Sequence, residues 1–187
     1  TIVGVVLLMA GDMNFYTAIA HSFAAVSTGG FSTHTASVAH YDSAYLDYVL
    51  VFLMFACGAN FTLHFAALRA RTLKPYKEPE FLFYTGVVVI ATALICAHLL
   101  WEGVYTSFWD ALRFSSFQVV SVITTTGFIT ADYAQWPYFT QLVLLAIMMI
   151  GGCAGSTAGA IKCVRFQIVI KAAFGELKKL VHPNAVV

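Results

Sequence analysis

Residues 22–33 read SFAAVSTGGFST, and residues 116–130 read SFQVVSVITTTGFIT. Setting Gly30-Phe31 on Gly127-Phe128 aligns the two stretches at an offset of 97 residues. Thr28 then faces Thr125, Gly29 faces Thr126 and Thr33 faces Thr130. The same offset puts Gly58 on Gly155, each inside a long apolar run. Upstream, Phe15 and Ala18 match Phe108 and Ala111 at an offset of 93. The difference of four residues is about one helical turn, so one copy's short helix is expected to be a turn longer. A repeat on this scale reads as one supersecondary unit used twice. Here the unit is a spanning helix, a shorter segment, a Thr/Gly turn, then another spanning helix.

The medium follows from composition. Of 187 residues, 60% are apolar and 10% are charged. A soluble domain carries roughly 45–50% apolar and about 25% charged residues. The net charge of +1 leaves no basic field for a polyanion, which excludes a nucleic-acid binder. Three runs reach the about 20 apolar residues that cross a hydrocarbon core: Tyr45 to Leu68, Phe81 to Trp101 and Tyr138 to Phe166. A fourth, Thr1 to Gly11, lacks a start methionine and a basic leader, and reads as the tail of a longer helix rather than a signal peptide. Phe15–Ser27 and Phe108–Thr124 are too short to cross.

Charge gives the sidedness. Arg69, Arg71, Lys74 and Lys77 follow the first span; Lys162, Arg165, Lys171, Lys178 and Lys179 end or follow the third. Asp12, Asp42, Asp47, Glu102, Asp110 and Asp132 mark the other face, with Arg113 its only base. Basic loops stay cytoplasmic, so both short segments enter from outside and return. Such re-entrant turns must line a watery path or be buried in protein. The expectation is an all-α membrane protein of repeated helix–re-entrant pore helix–helix units.

Thr28-Gly29-Gly30-Phe31 and Thr125-Thr126-Gly127-Phe128 resemble degenerate copies of the potassium-channel filter T-V-G-Y. A potassium ion leaving water needs a ring of oxygens, which main-chain carbonyls supply. Carbonyls of successive residues point one way only in unusual backbone conformations, which glycine adopts freely. The aromatic after the glycine is expected to wedge the loop from behind, and the threonine hydroxyl to add an oxygen at the inner mouth. One such stretch alone would read as a glycine-rich turn after a buried helix. Two, each after a non-spanning helix and before a spanning one, read as filter loops, with ion contact through the carbonyls of Thr28, Gly29, Thr125 and Thr126.

Residues 151–162 read GGCAGSTAGAIK. Gly151, Gly155 and Gly159 stand four apart, as in close packing of membrane helices. Several glycines, with Ser156 and Thr157 able to satisfy freed backbone groups, equally suit a break forming a movable constriction. The stretch alone does not choose. It is no phosphate loop, because two residues separate Gly159 from Lys162, and no hydrolase elbow, because Ser156 directly follows Gly155. Cys57, Cys96, Cys153 and Cys163 lie in apolar runs without C-x-x-C spacing and read as small buried residues. His21, His34, His40, His64, His98 and His182 lack zinc-site spacing.

Residues 21–34, 124–137 and 150–165 together resemble the TrkH/KtrB/HKT superfamily of potassium transporters, most closely its TrkH branch. That resemblance implies four repeats around one pore. Residues 1–69 would be the second repeat with its first helix truncated, 70–80 a cytoplasmic loop, 81–167 the third repeat and 168–187 a cytoplasmic tail toward the fourth. It implies that Thr28, Gly29, Gly30, Phe31, Thr125, Thr126, Gly127 and Phe128 form filter quadrants. Gly151, Gly152, Cys153, Ala154, Gly155, Ser156, Thr157, Ala158, Gly159 and Lys162 would form a gating loop beneath them. Ala158 and Ala160 stand where the family commonly has glycine, which argues against high local flexibility. The resemblance further implies a multi-pass protein of the bacterial cytoplasmic membrane that is not an enzyme. It carries potassium as substrate, without a cofactor. Expected partners are the remaining repeats, a second copy, a cytosolic TrkA-type nucleotide-binding subunit and the lipid bilayer. Three rivals remain: a secondary transporter with re-entrant hairpins, which would use intramembrane ionisable groups, an intramembrane hydrolase using Ser156 with His64 or His98, and a helical piece with only an assembly role.

Overall fold

A computed structural model of the chain describes residues 1–181; residues 182–187, and with them His182 and the end of the expected tail, lie outside the described residues. The described residues hold eight α-helices: α1 (Ile2–Met9), α2 (Phe15–Val26), α3 (Ala44–Gly58), α4 (Phe61–Ala70), α5 (Pro79–Trp101), α6 (Phe108–Ile123), α7 (Tyr138–Met148) and α8 (Cys163–Val181). No strand forms among them, only an isolated bridge between Ile150 and Ile161. The protein is an all-α membrane protein.

Only α5 is by itself long and apolar enough, among the described residues, to cross a membrane. Its 23 residues begin with Pro79 at the first helical position, where the missing N–H is not needed, and carry Glu80 in the first turn. The run Tyr45 to Leu68, expected as one span, is instead two helices. α3 and α4 meet at an angle of 95° across Ala59 and Asn60. Asn60 starts the second of them: its Oδ1 accepts from Thr62 N (2.9 Å) and Thr62 Oγ1 (2.7 Å). An asparagine in this place is a strong helix-start signal, and it competes with continuation of α3.

The run Tyr138 to Phe166 is also interrupted. α7 has 11 residues and stops at Met148, and α8 starts at Cys163. Gly151, Gly155 and Gly159 therefore share no helix face, and the packing reading of their spacing does not hold. Gly155 and Ala160 have positive φ, which no helix allows. The short helices α2 and α6 have 12 and 16 residues, the one-turn difference expected from the two offsets.

α6 is the centre of the packing, against α3, α5 and α7, while α2 lies against α1 and α3. Phe117, Val119 and Ile123 of α6 are buried with Leu50 and Met54 of α3 and Tyr84, Ile95 and Leu99 of α5. One ion-pair network pins α6 to α3. Arg113 donates from Nε to Asp47 Oδ2 at 2.7 Å and from Nη2 to Asp42 Oδ1 at 3.1 Å. Asp47 is buried and Asp42 exposed. The one basic residue on the acidic face is thus neutralised by two of the acids around it.

Removing one member of a buried pair strands the other charge, at a cost of about 3–5 kcal/mol. Arg113→Ala is expected to lower the melting temperature of the purified protein markedly. Adding Asp47→Asn to that variant is expected to restore part of the loss. Equal melting temperatures for the native protein and Arg113→Ala would show that the network does not hold α6 in place.

Candidate filter loops and the loop beneath them

The two short helices end in the same way, bond for bond. At α2, Thr28 N donates to Ala25 O (3.3 Å) and Gly29 N to Ala24 O (2.8 Å). At α6, Thr125 N donates to Val122 O (3.0 Å) and Thr126 N to Ser121 O (2.9 Å). Each is a Schellman motif, whose left-handed residue is usually glycine. Here it is threonine: Thr28 at φ 54° and Thr125 at φ 56°. Two residues on, Gly30 (φ 66°) and Gly127 (φ 86°) are left-handed again, while Gly29 and Thr126 between them are not. In ordinary extended chain successive carbonyls alternate sides. Reversing the sign of φ at every second residue turns them to one side, the arrangement a carbonyl-lined path needs.

A β-branched residue in the left-handed region is strained, by about 1–3 kcal/mol. Both threonine side chains are engaged by the loop that joins α7 to α8. Thr28 Oγ1 donates to Thr157 O at 2.9 Å, and Thr125 Oγ1 accepts from Gly159 N at 2.7 Å. Thr157 Oγ1 in turn donates to Val26 O, in the last turn of α2, at 3.0 Å. The hydroxyls thus face residues 157–159.

The filter-loop residues come together. A Cβ on Gly30 would fall on the carbonyl oxygen of Thr126, so only glycine allows this approach, whereas a Cβ on Gly127 would meet nothing within 4 Å. The aromatic wedge forms in one loop only. Phe128 is fully buried, stacks on His21 with ring centroids 5.6 Å apart, and its carbonyl accepts from Ser121 Oγ at 2.7 Å. Phe31 is 80% exposed and its ring lies beside Gly29 rather than behind the loop. The supports of Phe128 have no equivalent here: position 24 is alanine where Ser121 stands in the other repeat, and position 118 is glutamine where His21 stands.

Residues 149–162 form the loop. The bridge between its ends is made by Gly151 N to Ile161 O (2.8 Å) and Cys163 N to Gly152 O (3.1 Å). Its middle is tied to the bend in the α3–α4 pair: Cys153 N donates to Gly58 O (2.9 Å), and Phe61 N to Gly155 O (3.3 Å). Gly58 and Gly155, matched by the repeat, therefore sit at neighbouring breaks. Lys162 Nζ reaches Ser156 O and Ser156 Oγ at 3.4 Å each, and the Ala158 carbonyl more closely. Gly155 packs on Asn60, and Gly151 on the Gly159 carbonyl, so neither tolerates a side chain without movement. The four cysteines are free and buried, Cys153 and Cys163 completely so.

Three contributors escaped the sequence reading. His21 donates from Nδ1 to Thr17 O (2.8 Å), a carbonyl that can only accept, which leaves a neutral ring free to accept at Nε2 from Ser32 Oγ (2.9 Å). It thereby joins the 28–33 loop to Phe128. Asn60 caps α4 inside an apolar run. Glu80 Oε1 accepts from Ala154 N (2.6 Å) and Val164 N (3.2 Å). A carboxylate directly before the apolar run Phe81 to Trp101 was the available signal for the last.

A profile of the TrkH family, described as cation transport protein, matches residues 4–187. The chain belongs to the TrkH family. It is 42% identical to the Trk system potassium uptake protein TrkH of Escherichia coli K12, over the whole chain and 39% of that protein. It is 33% identical to TrkG of the same strain, over 92% of the chain and 36% of that protein. The crystal structure of the potassium transporter TrkH from Vibrio parahaemolyticus superposes with a TM-score of 0.94 at 40% identity, covering all of this chain and 40% of that one. The chain spans about two fifths of the length of these relatives. The stretches at 21–34, 124–137 and 150–165 thus identify the family correctly.

The two glycines of the filter loops are expected to differ in their tolerance of a methyl group. Gly30→Ala meets the Thr126 carbonyl and adds left-handed strain of about 1–2 kcal/mol, whereas Gly127→Ala adds the strain alone. Thermal unfolding of the two purified variants checks this: Gly30→Ala should melt lower, and the reverse order would show that the loops do not meet as described.

Proposed function

We propose that the chain supplies two quadrants of a potassium-selective pore in the bacterial cytoplasmic membrane. The observation that carries this reading is the duplicated helix end, in which Thr28 and Gly30, like Thr125 and Gly127, alternate left-handed backbone with ordinary backbone in two touching loops. Residues 1–69 and 81–167 are the two repeats, 70–80 the cytoplasmic loop between them and 168–187 the start of the link to another repeat. The ion sheds water against the carbonyls of Thr28, Gly29, Thr125 and Thr126, while Gly30 and Gly127 permit the geometry and Phe128 braces its loop. α2 and α6 point their C-terminal ends, each worth about half a negative charge, toward the same place.

Residues 151–159 with Lys162 obstruct the path beneath the filter and act as its gate. Support comes from the hydrogen bonds of Thr157 and Gly159 to the ends of the pore helices. Two of four quadrants do not enclose a pore, so the working unit includes further repeats. A second copy and a TrkA-type nucleotide-binding subunit complete the assembly, with Arg69–Lys77 and Lys171–Lys179 facing the cytosolic partner and the inner leaflet. The relatives' name, potassium uptake protein, gives the ion. A carrier built on intramembrane carboxylates is less favoured, since Asp47 is paired with Arg113 and Glu80 with two main-chain N–H groups.

Radiotracer or electrical flux with potassium and then sodium tests the filter. Gly127→Ser, where no neighbour meets the new Cβ, is expected to cut potassium-over-sodium selection by about tenfold, the equivalent of about 1.4 kcal/mol. Gly30→Ser should do at least as much. Unchanged selectivity in both would remove the filter assignment. Deleting residues 152–158 is expected to raise basal potassium flux several-fold, and an unaltered flux would leave the loop a packing element.

A further inference from the structure

The loop 149–162 is held at three places. Thr28 and Thr125 hold it at the filter loops, Gly58 and Phe61 at the bend between α3 and α4, and one carboxylate at its turn. Glu80 is 9% exposed and lies in the first turn of α5. A single oxygen, Oε1, accepts from Ala154 N at 2.6 Å and from Val164 N at 3.2 Å. Ala154 sits where the loop turns, and Val164 is the second residue of α8. The first N–H groups of any helix lack partners within it, and the helix dipole favours negative charge there. Glu80 therefore caps α8 from a different helix and, with the same atom, fixes the loop's turn.

Glu80 is mounted on a long helix. α5 is the longest helix among the described residues, and Pro79 O accepts from Gln167 Nε2 at 3.0 Å, so the start of α5 touches α8 at a second point. Among the described residues Glu80 forms no ion pair; its partners are main-chain N–H groups of the loop and of α8. Cys153 and Cys163, both fully buried, directly precede the two donor residues in the chain.

We propose that Glu80 is the positioning residue of the loop: its charged carboxylate, mounted on α5, keeps residues 151–159 across the pore by joining the loop's turn to the start of α8. This rests on the loop being the obstruction. Opening then requires both N–H groups to leave Oε1, and weakening that acceptor favours the displaced loop without touching the filter.

The test uses the protein in its membrane, with Cys153 as the only cysteine (Cys57→Ala, Cys96→Ala, Cys163→Ser, and any cysteine outside residues 1–187 likewise replaced), and N-ethylmaleimide as the probe. Glu80→Ala is expected to raise the rate of Cys153 modification about tenfold or more. Glu80→Gln keeps the shape and an oxygen but loses the charge, and should raise it several-fold. A parallel background with Cys96 as the only cysteine, on α5 and away from the loop, should show no change. Basal potassium flux should rise in step with Cys153 labelling while the potassium-to-sodium ratio stays at its native value. Cys153 labelling at the native rate in both variants overturns the proposal, as does an equal rise at Cys96, which marks general loosening. Should Glu80→Ala fail to fold, the Glu80→Gln rate decides by the same criterion. Faster Cys153 labelling with unaltered flux would uphold Glu80 as the loop's anchor and overturn the loop's role as the gate.

Discussion

Main-chain groups left without helical partners are the constraint on which the rest of this structure depends. In an apolar surrounding each such N–H or C=O must find a partner in the protein. The chain interrupts its helices at 59–60 and at 149–162, and it ends two short helices inside the packed region. The interruptions answer one another: Gly58 O takes Cys153 N, Gly155 O takes Phe61 N, and Thr157 O takes the Thr28 hydroxyl. Because each break supplies what another lacks, none is stable alone. The bend in the α3–α4 pair and the α7–α8 loop are in this sense one structural event.

The same economy explains the two strained threonines. Glycine would enter the left-handed turn at each pore-helix end more easily, yet it would carry no hydroxyl. Thr28 and Thr125 accept the strain and use the side chain to hold Thr157 and Gly159. The loop beneath is thus registered to the backbone whose carbonyls are proposed to meet the ion. Ala160 in that loop is left-handed without being glycine, so it too carries backbone strain. Glu80 and Lys162 hold it further, the first through N–H groups and the second through carbonyls within the loop.

The two repeats are alike in backbone and unlike in their support. Phe128 is buried over His21 and held through Ser121, while Phe31 is exposed. Gly30 abuts Thr126, while Gly127 has open space. In the proposed pore these open faces are where further quadrants stand. The ion-pair network of Asp47 and Asp42 with Arg113 joins α3 to α6 and so adds a charged link between the halves to the main-chain bonds at Gly58 and Phe61.

Much of this was legible beforehand. Apolar run length identified α5, spacing of small and aromatic residues identified the repeat, and the four-residue offset anticipated the longer α6. These are local properties: hydropathy reports immersion in an apolar medium, and glycine reports a turn. What the residues in order did not reveal was that Tyr45 to Leu68 bends, that the glycine cluster is a loop rather than a packed helix, and that only one aromatic wedges. A helix in an apolar medium is broken only where distant groups take up its freed N–H and C=O. Here the partners of Gly58 lie near residue 153 and those of Ala154 and Val164 at residue 80. Such pairings exist only once the chain has folded, and so they were decided by the tertiary structure.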